Sequence, residues 1–371
     1  MRPHRNISSG NARRSVRAAA VSVCVFLGMF WIARELFACA IPVFRYALER
    51  DSWHPAPYSV FLFHRGKLGA SAHKALLSLE EAARQDGDTP ANILFRAVDV
   101  DASMPGPLEP LWRRLENEPL PRLVLCAPGS LYPLWTAEAT ETSAAALLDS
   151  PARREIQRRL ARGDAAVWVL LESGDPDKDA AAGDVVRREA EEFAKSFRFS
   201  PEAVEAMGLV SAADAVISFS QLRIRRNDPD ELVFKTLLLS TEPDLHELPE
   251  PMAFAVFGRG RTLWALVGSG ISPMNVSEAC IYLTGDCSCE VKANNPGADL
   301  LFRADWYRIL AGVVPEPFSR LEQAAPEASE TFIRDGSPKT VAALAVTGAI
   351  LLLAVFAGSI LLRRGKAENR D

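Results

Sequence analysis

The chain has 371 residues, 48% of them hydrophobic and 24% charged, which is a globular composition with room for one large or two ordinary domains. Its net charge of −5 is unevenly spread: Arg2, Arg5, Arg13, Arg14 and Arg17 give the first 33 residues +5, residues 363–371 carry +2, and the rest is left at −12. An acidic body argues against nucleic acid as a partner, because phosphate binding needs a basic surface.

Each basic tail adjoins an apolar run. Residues 1–17 form the first tail and 18–43 the first run, which Arg34 and Glu35 interrupt. The arginines upstream keep the N-terminus on the cytoplasmic side. Three readings of this segment stay open. It is a signal-anchor helix, with Arg34 and Glu35 at the outer interface. It is a cleaved signal peptide, with small residues at Ala38 and Ala40. Or it is a lipidated leader, since Leu36-Phe37-Ala38-Cys39 resembles a bacterial lipoprotein box and marks Cys39 for lipidation.

At the other end, residues 341–362 form an uncharged, predominantly apolar run. As a helix they span about 33 Å, enough for a hydrocarbon core of about 30 Å. Arg363, Arg364 and Lys366 follow at once and hold the C-terminal tail, 363–371, inside. The expected topology is therefore an inner-membrane protein with both termini cytoplasmic and the body outside.

Residues 44–57 read as an amphipathic stalk ending in Pro55 and Pro57. Strands are predicted at 58–64, 93–100, 122–127 and 131–139, with helices at 71–84, 108–115 and from Ser150-Pro151 to Gly163. The same order then recurs. Residues 165–172 read as a strand, 184–197 as a helix, Ser200-Pro201 as the start of another helix, and 234–240 as a strand. Strands at 252–257 and 262–268 form a hairpin, and a last helix runs from Ser272-Pro273 to Leu283. Residues 301–340 read as a linker to the second membrane run.

That element order resembles the thioredoxin-like fold twice in tandem, over 58–163 and 164–300. The fold class it implies is α/β, two thioredoxin-like domains between two transmembrane helices. Pro121 and Pro251 each precede the third core strand, where that family has a cis-proline. The family's Cys-x-x-Cys pair would fall on His64-Arg65-Gly66-Lys67 and Ser173-Gly174-Asp175-Pro176, and neither stretch has a cysteine. The resemblance therefore implies the fold without its redox site.

Cys280, Cys287 and Cys289 cluster in the second domain. Outside the cytoplasm the first reading is a structural disulfide from Cys280 to Cys287 or Cys289, with Gly285 letting the chain turn back. A second is a strained Cys287–Cys289 bridge exchanging with Cys280 in a thiol–disulfide carrier. Zinc would need a fourth ligand, and the histidines are scattered, so no metal or cofactor is expected. His64 and His73 are set against Arg65 and Lys67, but a strand end and a solvated helix face explain them. Arg154, Arg158 and Arg162 read as a solvated stripe. No phosphate loop or hydrolase motif is present. The expected function is binding or assembly at the membrane, with other membrane or periplasmic proteins as partners.

Overall fold

The β-branched and aromatic runs become strands, and the alanine- and leucine-striped segments become helices. The structure is a computed structural model that describes residues 39–49, 53–102, 104–209, 216–287 and 291–311. The first half contains β1 (Cys39–Pro42), α1 (Val43–Glu49), β2 (Tyr58–His64), α2 (Ala70–Ala83), β3 (Ile93–Asp99), α3 (Glu109–Leu115), β4 (Arg122–Cys126), β5 (Pro133–Glu138), α4 (Glu141–Leu148) and α5 (Pro151–Ala161). The second half opens with β6 (Ala166–Leu171), α6 (Pro176–Ser196), α7 (Pro201–Ala206), β7 (Phe219–Ile224), α8 (Leu232–Leu239) and β8 (Met252–Phe257). It continues with β9 (Arg261–Thr262), β10 (Leu266–Val267), α9 (Pro273–Thr284), β11 (Asp286–Cys287), β12 (Ala298–Asp299) and α10 (Trp306–Ala311).

Two mixed sheets result. The first has the order β3-β2-β4-β5, with β2 parallel to β3 and the other neighbours antiparallel. The second runs β12-β9-β8-β6-β7, with β10 also on β8; β6 and β7 are parallel, β6 and β8 antiparallel. A separate two-stranded sheet pairs β1 with β11. The strands β6 (AVWVLL) and β8 (MAFAVF) are buried at every position, the continuous apolar run expected of strands covered on both faces.

The halves share one core. Val60, Leu62, Leu123 and Leu125 of the first sheet and Val167, Val169, Phe254 and Val256 of the second join a single buried cluster. Between them lie Ala75 and Leu79 of α2, Leu147 of α4, Ile156 of α5 and Leu237 of α8. The outer face of the first sheet packs on α3 through Phe61, Phe63 and Leu111. The outer face of the second packs on α1, α6 and α9 through Trp168, Leu170, Val186 and Val276.

Several expectations are corrected. Residues 234–240 are not a strand, since 232–239 form α8. Asp228 accepts from the Asp230 amide at 3.1 Å, starting a helical turn that runs into α8. Val233, Phe234, Leu237 and Leu238 are then buried at helical spacing. The second strand of that half is instead β7, a half-buried edge strand (FSQLRI) with no strong apolar pattern. The 262–268 strand is broken into β9 and β10, and α6 starts eight residues earlier than expected, capped by Asp175. Helix α4, capped by Thr140, was not expected at all.

Residues 44–57 are not a free stalk. Phe44, Tyr46, Ala47, Leu48 and Trp53 are all buried in the body. Residues 39–43 likewise belong to β1 and the start of α1 rather than to a membrane helix, with Ile41 and Val43 buried. The expected linker begins as core too, through Leu301, Phe302, Ala304 and Trp306. Among the described residues no helix is long and apolar enough to cross a membrane. The runs at 18–38 and 341–362 lie outside the described residues.

Candidate functional site

In the second half the carboxyl ends of parallel β6 and β7 meet the start of α6, and a cleft of about 470 Å³ opens there. It is lined by Glu172, Gly174, Asp179, Arg223, Arg225 and Arg226, among others. Its polar groups are engaged with one another. The Asp179 carboxylate, 3% exposed, accepts from the Ser173 amide at 2.7 Å, the Ser173 hydroxyl at 2.8 Å and the Gly174 amide at 3.0 Å. Asp175 accepts from the amides of Asp177 and Lys178 at 3.1 and 3.2 Å. A helix N-terminus attracts anions through its free amides; here Asp175 already occupies those of α6, and Asp179 those of the loop before it.

The cations beside them are engaged as well. Arg223 pairs with Glu172 at 2.8 Å and Arg225 with Asp228 at 3.3 Å. Arg226 donates to the carbonyls of Glu172, Leu248 and Glu250 at 3.0–3.3 Å, which ties the loop after β7 to the approach to β8. The cleft has no nucleophile and no acid–base pair.

The equivalent loop of the first half is a surface turn. Gly66 has φ +59, its carbonyl lies 2.8 Å from His64 Nδ1, and Arg65 pairs with Asp101 at 3.0 Å, both exposed. His73 sits on the exposed face of α2. The arginine stripe on α5 is solvated and matched with acids: Arg154 with Asp149 at 2.5 Å, and Arg158 and Arg159 with Glu155. These two arginines hold the Glu155 carboxyl well below its usual range, to about 2.

A second cleft, of about 600 Å³, is different in character. His54, Pro57, Leu94, Phe302, Trp306 and Tyr307 contribute to its walls, so aromatic rings and prolines predominate. It lies beside β3, the edge strand of the first sheet. Tyr307 Oη is 3.0 Å from His54 Nε2, and the Arg259 guanidinium lies 5.1 Å over the Tyr307 ring. Arg259 is itself held by the Leu48 carbonyl at 2.8 Å. Leu94 (62% exposed) and Tyr307 (54%) leave apolar surface open to solvent. A concave, mostly apolar wall with a few fixed polar groups can bind a ligand or a partner segment. The sequence did not point to it, because it sets the strand read at 93–100 against segments read as stalk and linker.

No known protein family and no curated protein matches this chain.

The cysteines fall into two groups. Cys280 is fully buried on the inner face of α9 and is a free thiol, and burial pushes its pKa up to about 12. Cys126, at the end of β4, is also buried and free, pushed to about 11 by the same desolvation. The expected bridge from Cys280 is thus not formed. Gly285, at the end of α9, has φ −69 and ψ 160, so the chain runs straight on into β11 instead of turning back. Cys287 lies in β11, opposite Cys39 of β1. Cys289 lies outside the described residues.

The Leu120–Pro121 peptide is cis and leads directly into β4; Pro251 leads into β8 and is not preceded by a cis bond. Among the described residues no group of three or more His, Cys, Asp or Glu could hold a metal.

Proposed function

We propose that this protein is a membrane-anchored, extracytoplasmic binding or assembly module built on two degenerate thioredoxin-like halves. The observation that carries it is the segment from Ser173 to Pro176. Where the resemblance would put a reactive pair, Asp179 takes the amides of Ser173 and Gly174, Asp175 takes the first free amides of α6, and no thiol is present. Support for the scaffold comes from element order. Each half has a sheet ordered second-first-third-fourth strand, the first two parallel and the rest antiparallel. Burial of Cys280 counts against the carrier reading, because a thiol with a raised pKa is a poor nucleophile at neutral pH. The aromatic cleft beside β3 is the surface best suited to take a partner.

The test is photo-crosslinking of the full chain in its own membrane, with the photoreactive residue at Leu94, at Tyr307, or at the exposed control position Leu77 of α2. A discrete adduct at the first two positions and none at Leu77 supports the reading. Equal labelling at all three, or none, removes the cleft as a binding site. Protease added to spheroplasts should digest the body; protection there overturns the topology.

A further inference from the structure

The two-stranded sheet joins the beginning of the described chain to the segment just after α9. Cys39 in β1 is the antiparallel Cα partner of Cys287 in β11. Residues facing each other in an antiparallel ladder have Cα atoms about 4.5 or 5.5 Å apart, depending on whether the pair is hydrogen-bonded. A disulfide needs a Cα separation of about 4.4–6.8 Å, so either kind of pair lies within reach. The two strands are held together beside it, across a bulge in β1: Pro42 faces Asp286, and the Val43 amide donates to the Gly285 carbonyl at 3.0 Å.

We propose that Cys39 and Cys287 are a disulfide-forming pair that fastens the start of the body to the strand after α9. Two thiols lose two protons and two electrons to the disulfide of an oxidant, small molecule or protein, which leaves as two thiols. Neither of the other described cysteines competes, since Cys126 and Cys280 are both buried in packed cores. The bond also answers a physical need. With four and two residues, β1 and β11 make too short a ladder to persist by hydrogen bonding alone. This pairing excludes lipidation of Cys39, and its formation in the cell rests on the extracytoplasmic reading of the body.

The test counts thiols in the full chain purified in detergent, alkylated under denaturing conditions with and without reductant, with the bridge located by peptide mass. The chain has six cysteines. The expected result is a loss of two alkylated thiols without reductant and a crosslinked peptide joining Cys39 to Cys287. Cys39→Ser and Cys287→Ser should each abolish the loss, while Cys280→Ser and Cys289→Ser should each retain it. A second sample is reduced and then reoxidised with oxidised glutathione. A bridge formed only there upholds the pairing and sinks the compartment reading instead. The proposal is overturned by six free thiols in both samples, by a bridge through Cys280 or between Cys287 and Cys289, or by a lipid on Cys39.

Discussion

The side-chain oxygen of Asn92 accepts the backbone amide of Phe302 at 2.9 Å, across 210 positions of sequence. The Asn92 amide group in turn donates to the carbonyls of Ala56 and Leu300 at 3.0 and 3.2 Å. One half-buried side chain thus holds together the approach to β2, the start of β3 and the segment leading to α10. Replacing Asn92 by Ala should lower stability by roughly 2–3 kcal/mol, the cost of leaving several partly buried groups unpaired. Chemical denaturation of the purified full chain measures it, and an unchanged midpoint would refute the tie.

Asp179 should behave similarly for a different reason. Its carboxylate satisfies two amides and one hydroxyl at the start of α6. Asp179→Ala should cost about 2–4 kcal/mol, because hydrogen bonds to a buried charge are the strong ones. It should also open the Ser173 and Gly174 amides to inorganic sulfate, so that sulfate raises the melting temperature of the variant more than that of the parent. Equal responses would mean that the amides are not what Asp179 occupies.

Gly260 should tolerate no side chain. Its φ is +91, and a Cβ there would run into the Phe302 ring. Gly260→Ala combines backbone strain with overpacking, a loss of about 2–4 kcal/mol. A variant melting within a degree of the parent would contradict the packing of Phe302 against the turn between β8 and β9.

Stability should fall in alkali. Thiols in the unfolded chain ionise near 9, whereas the buried Cys126 and Cys280 are held up to about 11 and about 12. These raised values stabilise the folded state fully below pH 9, and the gain is lost as pH rises from there towards 11–12. The slope is about 1.4 kcal/mol per pH unit for each thiol. The buried Tyr58 hydroxyl, also raised chiefly by desolvation, adds to the loss above pH 10. Denaturation midpoints from pH 7 to 11 check this, and Cys280→Ala should flatten the curve. The same thiols should resist iodoacetamide until the protein unfolds.

Most strands of the two sheets were legible as apolar runs: the ranges read for β2 and β8 coincide with those observed. Helices α5 and α9 were legible from the serine caps at Ser150 and Ser272 followed by proline. What failed had physical causes. The run at 232–239 looks like a strand because leucine and valine fit both states, and only the Asp228 cap before it decides. Strand β7 escaped because edge strands need not be apolar. The second cleft and the Cys39–Cys287 register were invisible, because they depend on segments at opposite ends of the body. Residues adjoining membrane-like runs were read as tether when they are core.

That closure governs how the protein can be made. Ala304 donates its amide to the Pro90 carbonyl at 2.8 Å, Arg303 bridges to Ala91, and the Tyr58 hydroxyl donates to the Asp299 carbonyl at 2.8 Å. The four strands of the first sheet are all in place by residue 138, but the contacts that close its β2–β3 end wait until the last described stretch has been synthesised. Contacts this distant in sequence slow folding, and meanwhile the faces of β2 and β4 that will meet the shared core stay incompletely covered. A chain emerging from its N-terminus would wait in a partly folded state for residues 299–304, and a fragment ending near residue 163 should be aggregation-prone rather than an independent domain.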